Sequence, residues 1–138
     1  MENFNFNVRV YYDSTDAGGV VYHSRYLDFC ERARTEFLRS RGIIQSKLFA
    51  ESGIGFVVKN ANLEFKKSAK LDDLLQISTK IIENNGIIIK MSQEIYLISR
   101  EGIDIPKDLL FEMSVNLVCI NKNFRPTRIP KDIVEKLR

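Results

Sequence analysis

The stretch VYYDSTDAGGVVYHSRYLDFCERARTEFLRSRG, Val10 to Gly42, decides the fold: a strand runs into a glycine-containing loop, and the loop opens a long amphipathic helix. Tyr26, Cys30, Ala33 and Phe37, with Leu27 and Leu38 beside them, recur at the i, i+4, i+7, i+11 spacing that keeps side chains on one helical face. Arg25, Asp28, Arg32, Arg39 and Arg41 fall mostly elsewhere. Ser24 is the expected N-cap, because a hydroxyl accepts an orphaned backbone N–H. Gly42 is the expected C′ residue, because it turns left-handed without a Cβ penalty. The segment predicts one bounded helix of about five turns.

Upstream, Phe6 to Asp13 sets Phe6, Val8, Val10 and Tyr12 against Asn7, Arg9, Tyr11 and Asp13, the alternation of a half-buried strand. Downstream, Gln45 to Glu51 reads as a short helix ending near Gly53, and Gly55 to Lys66 resumes alternation. Leu74 to Glu83, Ile87 to Ser99 and Leu109 to Asn121 are rich in β-branched residues and predict three more strands. Asn85-Gly86 signals a tight I′ turn, which makes the first two of these antiparallel neighbours. Arg100 to Asp108, with Gly102 and Pro106, reads as a longer, mobile loop, and Pro130 to Leu137 as a closing helix with proline in its first turn. One long helix and about five antiparallel strands make an α+β domain, the twisted sheet wrapping the helix's apolar face. Residues 1–138 read as a single domain without repeats or linkers.

At 138 residues, 44% hydrophobic and 28% charged, the chain is long enough to bury a core without disulfides or a structural metal. Residues 1–7 are polar apart from Phe4 and Phe6, so they lack the pattern of a leader. No run approaches membrane-spanning length either, and a cytoplasmic protein with no membrane insertion is expected. Cys30 and Cys119 are too far apart in sequence for a metal pattern, and both fall on apolar faces. The net charge of +3 suits an anionic partner. Lys and Arg are dispersed, without the basic, aromatic-interleaved patch of a nucleic-acid binder.

Ahead of the helix lies Asp16-Ala17-Gly18-Gly19. Adjacent glycines let the backbone turn tightly or approach a ligand closely, and the helix start presents free N–H groups and a positive dipole end. A carboxylate therefore stands beside a site suited to a carbonyl or oxyanion, although the same pattern also serves as a simple turn. His23 is the only histidine, and without Cys, His or carboxylate ligands nearby it predicts no metal site. Cys30 should face the core, which disfavours a Cys-His nucleophile, and the glycine pair lacks the further residues of a nucleotide-binding loop. Carboxylate chemistry without a metal or other cofactor is what remains.

The same residues resemble the hot-dog-fold acyl-CoA thioesterases, specifically the YbgC type, which are similar to 4-hydroxybenzoyl-CoA thioesterase. The likeness rests on Asp16, Gly19, Val20, Val21, Tyr22, His23, Tyr26 and Glu31, and continues in Leu71 to Ile77 and Arg125 to Val134. It implies a hot-dog fold and hydrolysis of acyl-CoA, with acyl carried on acyl carrier protein as a further substrate. Asp16 is implied as the catalytic nucleophile or general base, and the backbone N–H at His23 as the donor to the thioester oxygen. The His23 side chain is implied to face substrate or to pack. Tyr12, Gly19, Val20, Tyr22, Tyr26 and Glu31 are implied around the substrate, Tyr26 and Glu31 also as supports for helix and loop, and one of Tyr11 and Tyr12 should face the acyl pocket.

Two positions depart from the family. Ser14 stands where an acidic residue is common, and Glu83-Asn84-Asn85-Gly86 replaces a hairpin whose basic residues hold the coenzyme A phosphates in the hydroxybenzoyl enzyme. The resemblance also implies a homo-oligomer, a dimer or tetramer. Competing readings are an acyl-binding or protein-interaction module linked to phospholipid metabolism or the Tol-Pal envelope system, and a hot-dog dehydratase, whose His and acid constellation is not seen here.

Overall fold

The structure, a computed structural model, describes residues 3–138; the polar start read over residues 1–7 begins on two residues outside that range. Five strands, β1 (Phe4–Arg9), β2 (Gly55–Phe65), β3 (Leu74–Asn84), β4 (Ile88–Arg100) and β5 (Ile103–Ile120), form one antiparallel sheet in the order β1-β3-β4-β5-β2. The concave face holds α1 (His23–Ser40), while α2 (Gln45–Ser52) and α3 (Lys131–Lys136) pack at the far end.

α1 ends as expected. Gly42 has φ 76, its N–H donates to the Arg39 carbonyl at 3.0 Å, and the Ile43 N–H donates to the Leu38 carbonyl at 2.9 Å. That is a Schellman closure, with Ile43 buried beneath it. The start differs: the helix begins at His23 behind Tyr22, with no side-chain cap, so Ser24 lies inside the helix. The buried face is Tyr26, Phe29, Cys30, Ala33, Arg34, Phe37 and Leu38, while Leu27 is exposed. Phe29 and Phe37 meet Leu75, Ile77, Met91 and Ile95 from the sheet in one core, each fully buried side chain contributing about 2 kcal/mol.

Three boundaries correct the sequence reading. β1 stops at Arg9, because Tyr12–Ser14 forms a 3-10 turn that buries Ser14 and swings Tyr12 outward. The β3–β4 turn is centred on Gly86-Ile87, with positive φ at Gly86 alone and Asn85 Oδ1 accepting the Ile88 N–H at 2.7 Å, which is a II′ pattern. The expected mobile loop 100–108 is mostly strand, because Glu101 (φ 54) and Gly102 (φ 75) supply the tight turn themselves. Pro106 fits because the ladder jumps from Leu97↔Asp108 to Ser99↔Asp104 and asks no N–H of it.

The outer face of β3 and β4 carries Leu74, Ile82, Ile88, Tyr96 and Ile98 among Gln76, Ser78, Lys80, Lys90, Ser92 and Glu94, so these strands bear apolar residues on both sides. Further apolar surface lies on the edge strand β2. Its Val58, Leu63 and Phe65 pair with Leu117, Met113 and Phe111 and so share the concave face, yet remain exposed.

Candidate active site

An isolated Thr15↔Val21 bridge closes the loop ahead of α1, and a second bridge, Val20↔Lys70, ties it to the strap before β3. Asp16 sits inside this closure. Its N–H donates to the Val20 carbonyl at 2.9 Å, and its Oδ1 accepts the N–H groups of Gly18 at 2.8 Å and Val20 at 3.2 Å. Oδ2 has no partner among the described residues, and the side chain is exposed. Gly19 has φ 78, and a side chain at Gly18 would crowd Oδ1 at 3.3 Å, so both glycines answer to the carboxylate's position.

The strap holds the loop from below. The Leu71 N–H donates to the Gly19 carbonyl at 3.0 Å and the Val21 N–H to the Ala69 carbonyl at 3.0 Å, while the Tyr26 hydroxyl accepts the Ala69 N–H at 2.8 Å. Tyr26 is 2% exposed and stacks on Phe111 with ring centroids 5.4 Å apart. Burial pushes its phenol above the ordinary pKa, so the hydroxyl stays neutral and works as a clamp. A buried ion pair anchors the other end: Asp73, 1% exposed, takes Arg100 Nε at 2.9 Å and Nη2 at 2.8 Å, and also accepts the Lys70 N–H at 2.7 Å.

Val20 and Val21 lead directly into α1, whose first N–H groups, at His23 and Ser24, have no acceptor among the described residues. The exposed His23 ring stacks on Phe65, centroids 4.4 Å apart. Beside it lies a hollow of about 130 Å³ lined by His23, Tyr26, Phe65, Lys66, Lys67 and Ser68. Lys67 pairs with Asp108 at 2.9 Å, and Lys66 reaches Glu64 at 3.5 Å and Glu112 at 3.6 Å, so both ammonium groups have partners.

The structure thus brings Asp16, Gly19, Val20 and the His23 N–H onto one closed loop and helix start. Tyr12 is 80% exposed in the single chain, and Tyr11 and Tyr22 also face solvent, because the chain leaves the sheet before Tyr11. Glu31 lies about 12 Å further along α1, its Oε1 accepting the Thr35 hydroxyl at 3.1 Å. Burial pushes the Cys30 thiol up to about 12, which makes it inert as a nucleophile. Sequence reasoning did not single out Phe65, on which the His23 ring stacks. A buried Arg34–Gln93 hydrogen bond further along α1 was also not read, although an arginine on the apolar helix face and a glutamine between Met91 and Ile95 mark it.

Residues 10–137 match the model of the thioesterase-like superfamily. An acyl-CoA thioesterase YbgC of Haemophilus influenzae is 41% identical over 131 residues, 94% of this chain and 90% of that protein. The chain belongs to the YbgC-type thioesterases. A crystal structure of a probable thioesterase from Bartonella henselae superposes with TM-score 0.80 at 36% identity, covering 93% of this chain and 99% of that one. The 4-hydroxybenzoyl-CoA thioesterase of Pseudomonas sp. strain CBS-3 shares the hot-dog fold, with TM-score 0.88 at 20% identity over 99% of each chain.

Proposed function

We propose that this protein hydrolyses acyl-CoA thioesters to a free acid and coenzyme A, with Asp16 as the attacking or proton-abstracting group. The observation that carries this reading is the pairing, on one bridged loop, of a carboxylate with an open Oδ2 and a helix start with unused N–H donors. A thioester oxygen placed on the His23 N–H draws on a donor fixed before the reaction, and the negative charge that grows there is met by the helix dipole. Asp16 then either adds to the carbonyl, expelling the thiolate and leaving an anhydride that water cleaves, or removes a proton from water as water adds. The YbgC relatives, named as acyl-CoA thioesterases, support the reading. Acyl groups on acyl carrier protein present the same thioester to the same groups. Two buried free thiols, Cys30 and Cys119, support a reducing, cytoplasmic setting, and no described helix is long and apolar enough to cross a membrane. Free thiol released from a panel of straight-chain, branched and aromatic acyl-CoAs, beside acyl-loaded carrier protein, tests the proposal. No thiol release from any of them overturns it.

We read the whole chain as one domain that works as a homo-oligomer. The support is β2, an eleven-residue edge strand with unpaired backbone on one side and exposed Val58, Leu63 and Phe65 on its concave face. Light scattering at micromolar concentration should return a mass at least twice the 16.0 kDa of one chain. A monomer mass counts against this reading.

A further inference from the structure

Charge is unevenly divided over the molecule. Residues 39–54 and 121–138 carry nine Lys and Arg against three acidic residues, a net +6, while the rest of the chain, twelve against fifteen, is −3. The two segments form one end of the molecule: Arg41 Nη1 donates to the Arg138 carbonyl at 2.6 Å, Lys136 Nζ donates to the Gly42 carbonyl at 3.4 Å, and the Lys122 side chain lies over Gly53. Cations that are dispersed in sequence are thus gathered by the fold. Arg39 and Arg138 pair with Glu36 and Glu135, and the other seven have no carboxylate within ion-pair distance among the described residues. A concentration of unpaired positive charge of this kind attracts an anionic surface.

Within this end Asn121 holds a tight turn. Its Oδ1 accepts the Asn123 N–H at 2.9 Å and the Arg125 N–H at 3.2 Å, and its carbonyl accepts the Phe124 N–H at 2.9 Å. The turn fixes Phe124 at φ 60, a left-handed conformation that an aromatic residue rarely adopts, and leaves the ring 76% exposed, flanked in sequence by the unpaired Lys122 and Arg125. Ile44 and Phe49 on the same end are exposed as well. Apolar side chains standing among unpaired cations suit the headgroup zone of a bilayer, where the ring enters the acyl boundary and the cations meet lipid phosphates. A soluble polyanion would engage the cations and leave the Phe124 ring idle. We propose that this end docks peripherally on a bilayer surface rich in anionic phospholipid. None of the β2 side chains assigned to a partner copy takes part, and the inference is independent of the hydrolase reading.

The test is co-sedimentation of the full chain with vesicles of phosphatidylcholine alone and of phosphatidylcholine with phosphatidylglycerol, beside binding to heparin as a soluble polyanion. The anionic vesicles should bind tighter than the neutral ones by on the order of tenfold or more. Lys122→Glu with Arg125→Glu should bring the two lipids level. Lys80→Glu with Lys90→Glu makes the same change of charge on the outer sheet face and should leave vesicle binding within about twofold of wild type, because charges beyond the Debye length of about 10 Å are screened. Phe124→Asn keeps the turn, since Asn tolerates the left-handed region, and removes the ring. It should weaken binding to anionic vesicles several-fold and leave heparin binding unchanged. No preference for the anionic vesicles, or an equal loss in the outer-face variant, overturns the inference. So does a Phe124→Asn protein that binds anionic vesicles as wild type does, which would mark the basic end as a site for a soluble polyanion such as a nucleic acid.

Discussion

Asp16→Asn is expected to lose kcat by about a hundredfold or more while folding normally. Asn is nearly isosteric, and its amide oxygen can still accept the Gly18 and Val20 N–H groups that Asp16 Oδ1 accepts now, so the loop closure survives. What disappears is the negative charge on the second oxygen, which is the electron pair either version of the chemistry uses. Glu31→Gln, by contrast, should cost little, because Glu31 is exposed and remote from the loop. The measurement is thiol release together with a melting curve. An Asp16→Asn protein with wild-type rate and wild-type Tm removes Asp16 from the chemistry.

Arg100→Ala should destabilise the fold by about 3 kcal/mol, the scale for stripping one partner from a buried ion pair. Arg100 is itself partly exposed, but Asp73 is not, and its carboxylate would be left with the Lys70 N–H as its one remaining side-chain hydrogen bond. The effect should reach the active loop. The Asp73 carbonyl accepts the Val10 N–H at 2.9 Å, and the adjoining strap holds Gly19 and Val21. Denaturant unfolding gives the loss directly, and a change below about 1 kcal/mol would show the pair to be a surface interaction in energetic terms. Arg100→Lys should fall between, since an ammonium keeps the charge but not the two-pronged geometry.

The fold was legible in the sequence because its period-bearing segments are strong. α1 announces itself through Tyr26, Cys30, Ala33 and Phe37, and β3 to β5 through alternation that the sheet register reproduces. The errors fall where a local signal had two physical solutions. Asn85-Gly86 carries turn chemistry, but Gly86 alone supplies the positive φ and Asn85 serves as an acceptor instead. Pro106 reads as a loop because proline breaks a regular ladder, and nothing in the chain marks the bulge that spares it. Tyr12 continues the alternation of β1 in sequence, while the buried Ser14 pulls the backbone into a turn. The candidate site divides the same way. Asp16, Gly19 and the helix start are one local motif and were readable. Phe65 meets His23 only once β2 has folded beside α1.

The strand order has a kinetic consequence. β3, β4 and β5 form a meander contiguous in sequence, so their pairing closes only short loops. β1 and β2 join it through distant pairs such as Phe4↔Thr79 and Gly55↔Ile120, whose closure costs more chain entropy. The Asp16 loop hangs between those late edges and the strap before β3. Substitutions at Met91 or Val115 should therefore slow folding, whereas substitutions at Val10 or Tyr26 should mainly speed unfolding, as φ-values would show. The local closure of the Asp16 loop would then be docked on the strap before β3, through Val20↔Lys70 and the Leu71 and Val21 N–H groups, only in the final step of folding.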